Sequence, residues 1–307
     1  MISQWWLLNT RHRIKTMKLS KIKKTIEQVR DLPTLPVISN KVNALLYDPK
    51  SAASDLAEII ENDQSIATKV LTLVNSAYYG LPQRVTNIAQ AIALLGYKNI
   101  SQIVMTLSVF ETLKHSKRGS FDRKAFWLHS IATAIMSVKI VEMCMYSTPE
   151  DTFTGGLLHD LGKVFMDGYL HEEFNEVLDT AEKNNISFYE AEHTLFDVDH
   201  AMIGQWIARA WKLPLHVVAS IKHHHQEVEA RMGLSVSSDL FIDIIHIADI
   251  GVRLKGYGCN GDGKGYRPTL SSDHFKRLPV FEDDIMKLLE SLNEEIDKAK
   301  TLLSFAI

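Results

Sequence analysis

From Leu32 onward, apolar residues recur at intervals of three and four along almost the whole chain. No run alternates apolar and polar residues convincingly, as a half-buried strand would. Proline and glycine divide this pattern into helix-sized pieces, for example at Pro49, Gly80 and Pro82. Because residues at such spacing share one face of a helix, the sequence predicts an all-α protein.

The pattern divides the 307 residues into four segments. We expect a basic leader over 1–30, a helical subdomain over 31–116, a second helical subdomain over 117–280, and a C-terminal amphipathic helix over 281–307. A polar stretch near Gly119 reads as the linker between the two subdomains. The predicted architecture is therefore two packed helical subdomains, and the helices expected in the second include one near 152–166 and one near 214–229.

Composition excludes several classes of protein. The net charge of -3, with 23% charged residues, gives too weak a field to make nucleic acid or membrane the main partner. Cys144 and Cys259 lie far apart, so neither a disulfide framework nor a cysteine-rich zinc site is available. The apolar stretch 5–8 is far shorter than the ~20 residues that span a bilayer, and no signal-peptide pattern follows it. We expect a cytoplasmic protein with no membrane association.

Two segments carry little regular pattern. The leader contains eight Lys/Arg residues and one acidic residue, Glu27. Such a basic segment could contact phosphates or anionic lipid, but a solvated leader is the favoured interpretation. Met17 is a second candidate start. The glycine-rich stretch 256–265 lacks the strand and helix of a phosphate-binding loop, so it is predicted to be a mobile surface loop.

Two helical segments suggest contacts with partners. Predicted helices at 88–95 and 100–113, joined by a short turn, resemble a helix-turn-helix, but apolar residues such as Ile103 and Leu107 leave the second helix little exposed face, which argues against DNA binding. The last segment carries a heptad stripe that fits either a terminal helix packed on its own core or a dimer zipper. The stripe consists of Ile285, Leu289, Leu292, Ile296, Ala299 and Leu303.

Histidines are concentrated in the second half, where ten of the thirteen fall between His129 and His246. The strongest signal is the segment 155–163, where two glycines allow close helix packing beside adjacent His159 and Asp160. Neighbours on a helix point about 100° apart, so these two side chains can straddle a metal ion. The two oxygens of Asp160 make it the natural bridge between two ions.

Further donors accompany this pair, and His200 has Gly204 one turn on to clear space beside its ring. Imidazole and carboxylate suit iron, manganese, zinc, cobalt or nickel, and the absence of thiolates argues against structural zinc. Alone, each residue would usually be a core histidine or a capping aspartate, but together they predict a site for one or two divalent ions, with two favoured. The predicted ligands are His129, His159, Asp160, His200, His224, His225 and Asp249.

These residues resemble two related families. His129, the His159 Asp160 pair with Lys163, and Asp249 are similar to the pattern of the HD superfamily of metal-dependent phosphohydrolases. His200 with Gly204, and the His224 His225 pair, resemble the additional ligands of its HD-GYP branch. The motifs of the first half, Leu-Pro-Thr-Leu-Pro-Val at 32–37, Asp-Gln-Ser-Ile-Ala at 63–67, Val-Asn-Ser-Ala-Tyr-Tyr-Gly at 74–80 and Ala-Ile-Ala-Leu-Leu-Gly at 91–96, resemble an HDOD domain.

The resemblance covers roughly residues 30–255 and implies an HD-type helical bundle in the second half. It implies a bacterial signal-transduction protein with a binuclear His/Asp centre, in which iron or manganese is favoured over zinc, nickel, cobalt or magnesium. It also implies a signalling protein partner on the N-terminal subdomain and a nucleotide ligand.

Two departures from the HD-GYP pattern bear on activity. The residues after His225 read Gln-Glu-Val-Glu, without a Gly-Tyr-Pro sequence, so the substrate-shaping loop of those phosphodiesterases is absent. Ala125 stands where some relatives place a third-metal glutamate. Many HDOD domains lack the ligands altogether, so ligands in this chain imply metal binding more securely than turnover.

The expected function is therefore regulatory, and the alternative is an active phosphohydrolase that cleaves a nucleotide or cyclic dinucleotide. In the alternative, Asp160 would bridge two ions and Lys163 would neutralise a phosphate oxygen, unless Lys163 is an ordinary surface cation. His216 and His246 are interpreted as structural, although either could orient a ligand. A di-iron oxygenase is a third, less favoured possibility.

Overall fold

The computed structural model describes most of the chain, and no strand occurs in the part that it describes. The all-α prediction is confirmed. The predicted leader and most of the predicted linker lie outside the described residues. Those residues are 35–114, 121–145, 149–227, 230–231, 234–258, 261–270 and 275–307.

The described part of the first half, residues 35–114, forms five helices, and short polar side chains begin two of them. The Asp63 carboxylate accepts from the backbone amide of Ile66, and the Asn87 side chain accepts from that of Gln90, so each supplies an acceptor that the first turn lacks. The helices are α1 Val37–Tyr47, α2 Ala53–Glu61, α3 Gln64–Val74, α4 Ile88–Leu95 and α5 Tyr97–Lys114.

The second half surrounds one long central helix. This helix, α6, packs against α7, α13 and α14, while α8 packs against α11. The helices are α6 Arg123–Met143, α7 Pro149–Leu158, α8 Leu161–Tyr169, α9 His171–Asn184, α10 Phe188–Leu195, α11 His200–Ala210, α12 Leu215–His223, α13 Val236–Lys255, α14 Glu282–Lys298 and α15 Lys300–Ala306.

Buried apolar side chains from both halves belong to one continuous core. Helix α5 joins the halves, because it packs on α1 from the first half and on α7 and α15 from the rest of the chain. Helix α6 is long and apolar enough to cross a membrane, but 72% of the relevant window is buried inside the protein. Burial of this extent is typical of the core helix of a soluble protein.

The C-terminal segment divides at Ala299 into α14 and α15 instead of forming one helix. Ile285, Leu289 and Leu292 of the predicted stripe are buried, and α14 packs on α6 of the same chain. The stripe therefore packs on the chain's own core, and a dimer through this segment stays a prediction.

Two predicted helix boundaries are wrong in ways that matter for the site. A single helix was expected over 152–166, but α7 ends at Leu158 and α8 begins at Leu161, so His159 and Asp160 occupy the turn between them. A helix was expected over 214–229, but α12 ends at His223 and the next two histidines follow its last turn. Side chains in a turn between helices diverge from helical periodicity, which allows them to serve a shared centre.

Several described glycines of the glycine-rich stretch pack closely against the rest of the protein, and the mobility of this loop stays a prediction. A Cβ atom on Gly258 would lie 2.7 Å from the backbone nitrogen of His129, and one on Gly261 would lie 2.7 Å from the ring of Phe188. The amide of Gly263 donates to the carbonyl of Ile186. Glycine occurs here because the loop backbone approaches its neighbours too closely for a side chain.

Candidate metal centre

All seven predicted donor residues lie together at one place. They form two groups, and in each group the candidate ligand atoms lie within 4.8 Å of one another. One group contains Asp160, His200, His224 and His225, and the other contains His129, His159 and Asp249. The side chains come from α6, α11, α13, the turn between α7 and α8, and the residues after α12.

Asp160 faces both groups. Its Oδ1 atom lies 3.1 Å from Nε2 of His200 and 3.6 Å from Nε2 of His224. Its Oδ2 atom lies 3.4 Å from Nε2 of His159 and 3.9 Å from Nε2 of His129. One carboxylate with an oxygen toward each group has the geometry of a bridge between two cations.

The second group is completed by Asp249. Its Oδ1 atom lies 3.2 Å from Nε2 of His129 and 3.8 Å from Nε2 of His159. Each group therefore combines imidazole nitrogens with one carboxylate, a donor set that suits divalent transition metals.

Several histidines hold the tautomer that metal binding requires. Nδ1 of His159 lies 2.7 Å from the carbonyl oxygen of Gly156, and Nδ1 of His224 lies 2.8 Å from that of Ile221. A carbonyl can only accept, so each Nδ1 carries the proton and each Nε2 presents a lone pair toward the centre. Outer hydrogen bonds of this kind are characteristic of metal-ligating histidines.

The nitrogen and oxygen atoms that face the centre are placed better for binding a cation than for hydrogen bonding to one another. Nε2 of His200 lies 3.1 Å from Nε2 of His225 and 3.4 Å from Nε2 of His224. His159 Nε2 and Asp160 Oδ1 are buried and make no hydrogen bond of acceptable geometry. Because buried polar atoms are nearly always paired, converging nitrogens and a carboxylate oxygen indicate that these residues fit metal ions.

Buried cations hold both carboxylates in the anionic form. Burial alone would raise the pKa of Asp160 and of Asp249, but the charge of Lys163 and of Arg253, respectively, helps to hold each pKa well below its usual range. The Lys163 amine donates to Asp160 Oδ2 at 2.8 Å, and the Arg253 guanidinium lies 2.8 Å from Asp249 Oδ2. The Lys163 side chain is buried, so the alternative of a surface cation is wrong.

The imidazole pKa values differ across the centre. Burial lowers the pKa of His224 to about 4 and that of His225 well below its usual range. Burial also acts to lower the pKa of His200, but the Glu192 carboxylate, 2.6 Å from its Nδ1, raises it to about 9. His224 and His225 are thus neutral at pH 7, the state that a metal ion binds.

Three residues that support the centre were not predicted. Glu192 accepts from the backbone and side chain of His200, and Arg253 links Asp249 to Asp262 of the glycine-rich loop. Asp262 also accepts from the backbone amide of Phe188, at the start of the helix that carries Glu192. The sequence offered two signals for these residues: an acid eight residues before His200 and an arginine one turn after Asp249.

Of the two histidines that were interpreted as structural, His246 contacts the candidate metal centre and His216 does not. His246 Nδ1 lies 2.5 Å from the carbonyl oxygen of His224, so it contacts the backbone of a donor residue. His216 lies elsewhere, with Nε2 3.4 Å from Asp151 Oδ1.

Comparison with known proteins identifies what this chain is similar to. The sequence profile of the HDOD domain matches residues 32–227. An uncharacterized protein of Treponema pallidum (strain Nichols) is 26% identical over 200 residues, which are 65% of this chain and 38% of that protein's length. The chain thus spans well under half of this relative.

Solved structures share the fold. An HDOD domain protein with unknown function from Geobacter sulfurreducens is 26% identical, with a TM-score of 0.77 and coverage of 96% of this chain and 99% of that one. A candidate phosphohydrolase from Shewanella amazonensis SB2B is 20% identical, with a TM-score of 0.71 and coverage of 92% and 98%. The second similarity concerns the fold alone.

Proposed function

Because the chain belongs to the HDOD domain family, we propose that it is a regulatory protein of bacterial signal transduction whose second half holds a binuclear metal centre. The observation that supports this proposal best is a complete donor set in an enclosed position. Six of the seven donor residues are at most 1% exposed, the exception being His225. An enclosed centre suits an ion that stabilises a conformation better than one that must meet a large substrate.

In the regulatory proposal, Asp160 and Lys163 have defined structural roles. Asp160 bridges the two groups, and Lys163 keeps this carboxylate charged although it is buried. Iron or manganese is the expected metal. A signalling protein partner would bind the first half, where Val37 and Leu94 are large exposed apolar residues.

The second candidate function is metal-dependent hydrolysis of a phosphoester in a nucleotide or cyclic dinucleotide. It is favoured by the partial exposure of His225, whose ring lies 4.5 Å from that of Tyr189 and marks the open side of the centre. Bound ions would supply Lewis acidity and activation of water. Asp160 would orient the ions, and Lys163 would have to serve a phosphate while its amine already donates to Asp160.

The deciding experiment measures metal content and turnover on the same preparations. Protein reconstituted with iron or manganese without oxygen is analysed by elemental mass spectrometry and offered cyclic dinucleotides, cyclic mononucleotides and nucleoside triphosphates. We expect about two ions per chain, an Asp160→Ala variant that loses both, and no turnover. The matched control is His171→Ala, since this histidine lies outside the centre with a half-exposed side chain.

Each other result has a definite meaning. Hydrolysis that Asp160→Ala abolishes and His171→Ala preserves would replace the regulatory proposal by the second candidate. Metal content that is unchanged in Asp160→Ala would refute the proposed centre.

A further inference from the structure

The two donor groups of the candidate centre differ in access to solvent. In one group every residue is buried, and in the other His225 is partly exposed. An ion leaves a protein when water replaces its ligands, so the exposed ligand is the first that can be replaced. We call His129, His159 and Asp249 the buried group, and Asp160, His200, His224 and His225 the open group.

Helix α10 contacts the open group through two residues that lie one turn apart. The ring of Tyr189 lies 4.5 Å from the ring of His225, with 31° between the two planes. Glu192 accepts from Nδ1 of His200. Since residues three apart share a face of a helix, α10 serves two histidines of the same group.

His225 is anchored differently from the other histidines of the open group. Nδ1 of His200 and Nδ1 of His224 lie 2.6 Å and 2.8 Å from oxygen acceptors. Within the described part of the chain, Nδ1 of His225 makes no corresponding hydrogen bond. Outside the donor set its ring contacts Tyr189, so ring stacking takes the place of the hydrogen bond that usually orients a metal-ligating histidine.

Tyr189 is itself held in place through a second helix. His193, one turn later in α10, has its ring 4.4 Å from that of Tyr189, and its Nε2 atom lies 3.3 Å from Asp199 Oδ2. The Asp199 carboxylate also accepts from the backbone amide of Met202 at the start of α11. A ring supported in this way can fix the orientation of His225.

We propose that Tyr189 is a positioning residue that holds His225 against the centre, and that the ion of the open group exchanges with solution faster than the ion of the buried group. This inference rests on the proposed metal centre and deepens it. One ion becomes a permanent part of the fold, whereas occupancy of the open group follows the concentration of free divalent metal.

The test uses the full chain reconstituted with manganese without oxygen, and it follows release of the metal to an excess of a chromogenic chelator. We expect two kinetic phases of one ion each in the wild-type chain. Tyr189→Leu should accelerate the faster phase about two- to tenfold, the factor to which one stacked aromatic pair corresponds, and should leave the slower phase unchanged.

Variants assign the faster phase to the open group. Tyr189→Phe keeps the ring and should release metal at wild-type rates. His225→Ala should retain one ion, which leaves slowly. Tyr169→Leu is the matched control, because the Tyr169 ring also stacks on a neighbouring ring, that of Phe165 at 4.7 Å, but lies at the end of α8 farthest from Asp160. Circular dichroism and the thermal midpoint verify that each variant is folded.

Several outcomes would overturn the inference. Release of both ions at one rate from the wild-type chain would exclude unequal groups. A faster phase that is unchanged in Tyr189→Leu, or accelerated equally in Tyr169→Leu or Tyr189→Phe, would exclude the positioning role of the tyrosine ring. All of these results require a chain that holds metal, so they leave the proposed centre intact. A wild-type chain that takes up no metal would instead refute the centre and, with it, this inference.

Discussion

Substitution of Gly162 should damage both the fold and the metal centre, because this glycine lies where α8 crosses α11. A Cβ atom there would fall on the backbone of α11, 2.7 Å from the carbonyl carbon of His200 and 2.9 Å from the nitrogen of Gly204. The carbonyl oxygen of His200 would be closer still. Neither helix backbone can yield as a flexible side chain could.

The expected size of the effect follows from this geometry. Relief of the overlap requires the helices to separate by about 1 Å, and overpacking of this kind costs about 1–3 kcal/mol or more of unfolding free energy. The same movement separates Asp160 from His200, whose facing atoms are 3.1 Å apart. Metal ligands tolerate only a few tenths of an ångström, so Gly162→Ala should also bind less metal.

The assay is urea unfolding followed by circular dichroism, with metal content measured on the folded protein. Gly251→Ala is the matched control: this glycine lies within α13, and its Cβ atom would make ordinary contacts of 3.4 Å or longer with side chains of α14. Because alanine favours a helix interior by about 1 kcal/mol over glycine, this control should be neutral or stabilised. Equal midpoints for the two variants, with unchanged metal content, would refute the reasoning.

Three further predictions concern the surroundings of the centre. Arg253→Met leaves the Asp249 carboxylate buried without its cation and should cost about 3–5 kcal/mol in urea unfolding; a loss below about 1 kcal/mol would contradict the pairing. Gly258→Ala should destabilise the protein more than Gly256→Ala, since both have positive φ but a Cβ atom meets the His129 backbone only at Gly258; equal thermal midpoints would contradict this packing. Burial raises the pKa of the Cys144 thiol to about 11, so Cys144 should resist iodoacetamide at pH 7 and react faster as the pH rises toward that value. Rapid labelling of Cys144 at pH 7, measured by peptide mapping, would disprove this expectation.

Much of the centre could be predicted from residue types, because imidazoles and carboxylates in such density are chemically unusual. The identity of the seven donors needed no knowledge of the helix boundaries. Helical periodicity nevertheless placed His159 and Asp160 within a helix, and they lie in a turn. Local propensity cannot show that a helix must stop so that two side chains can face one centre.

The supporting residues were harder to predict, because their partners are distant in the chain. Asp262 contacts Arg253 and the amide of Phe188, 74 residues earlier. Glycines at 256–265 indicated flexibility by composition, whereas in the fold Gly258 permits close backbone contact with α6, and Gly263 permits close contact with the backbone at Ala181. Composition describes what a residue allows, and only tertiary packing decides which of those possibilities is used.

The position of Asp249 has a practical consequence for dissection of the protein. The segment that matches the HDOD profile ends at residue 227, whereas this carboxylate and its guanidinium partner belong to α13. A fragment trimmed to the matched segment would keep six donor residues and lose Asp249, which completes the group that contains His129 and His159. The smallest unit that keeps all seven donor residues and the guanidinium partner of Asp249 therefore extends past the homology boundary, through α13.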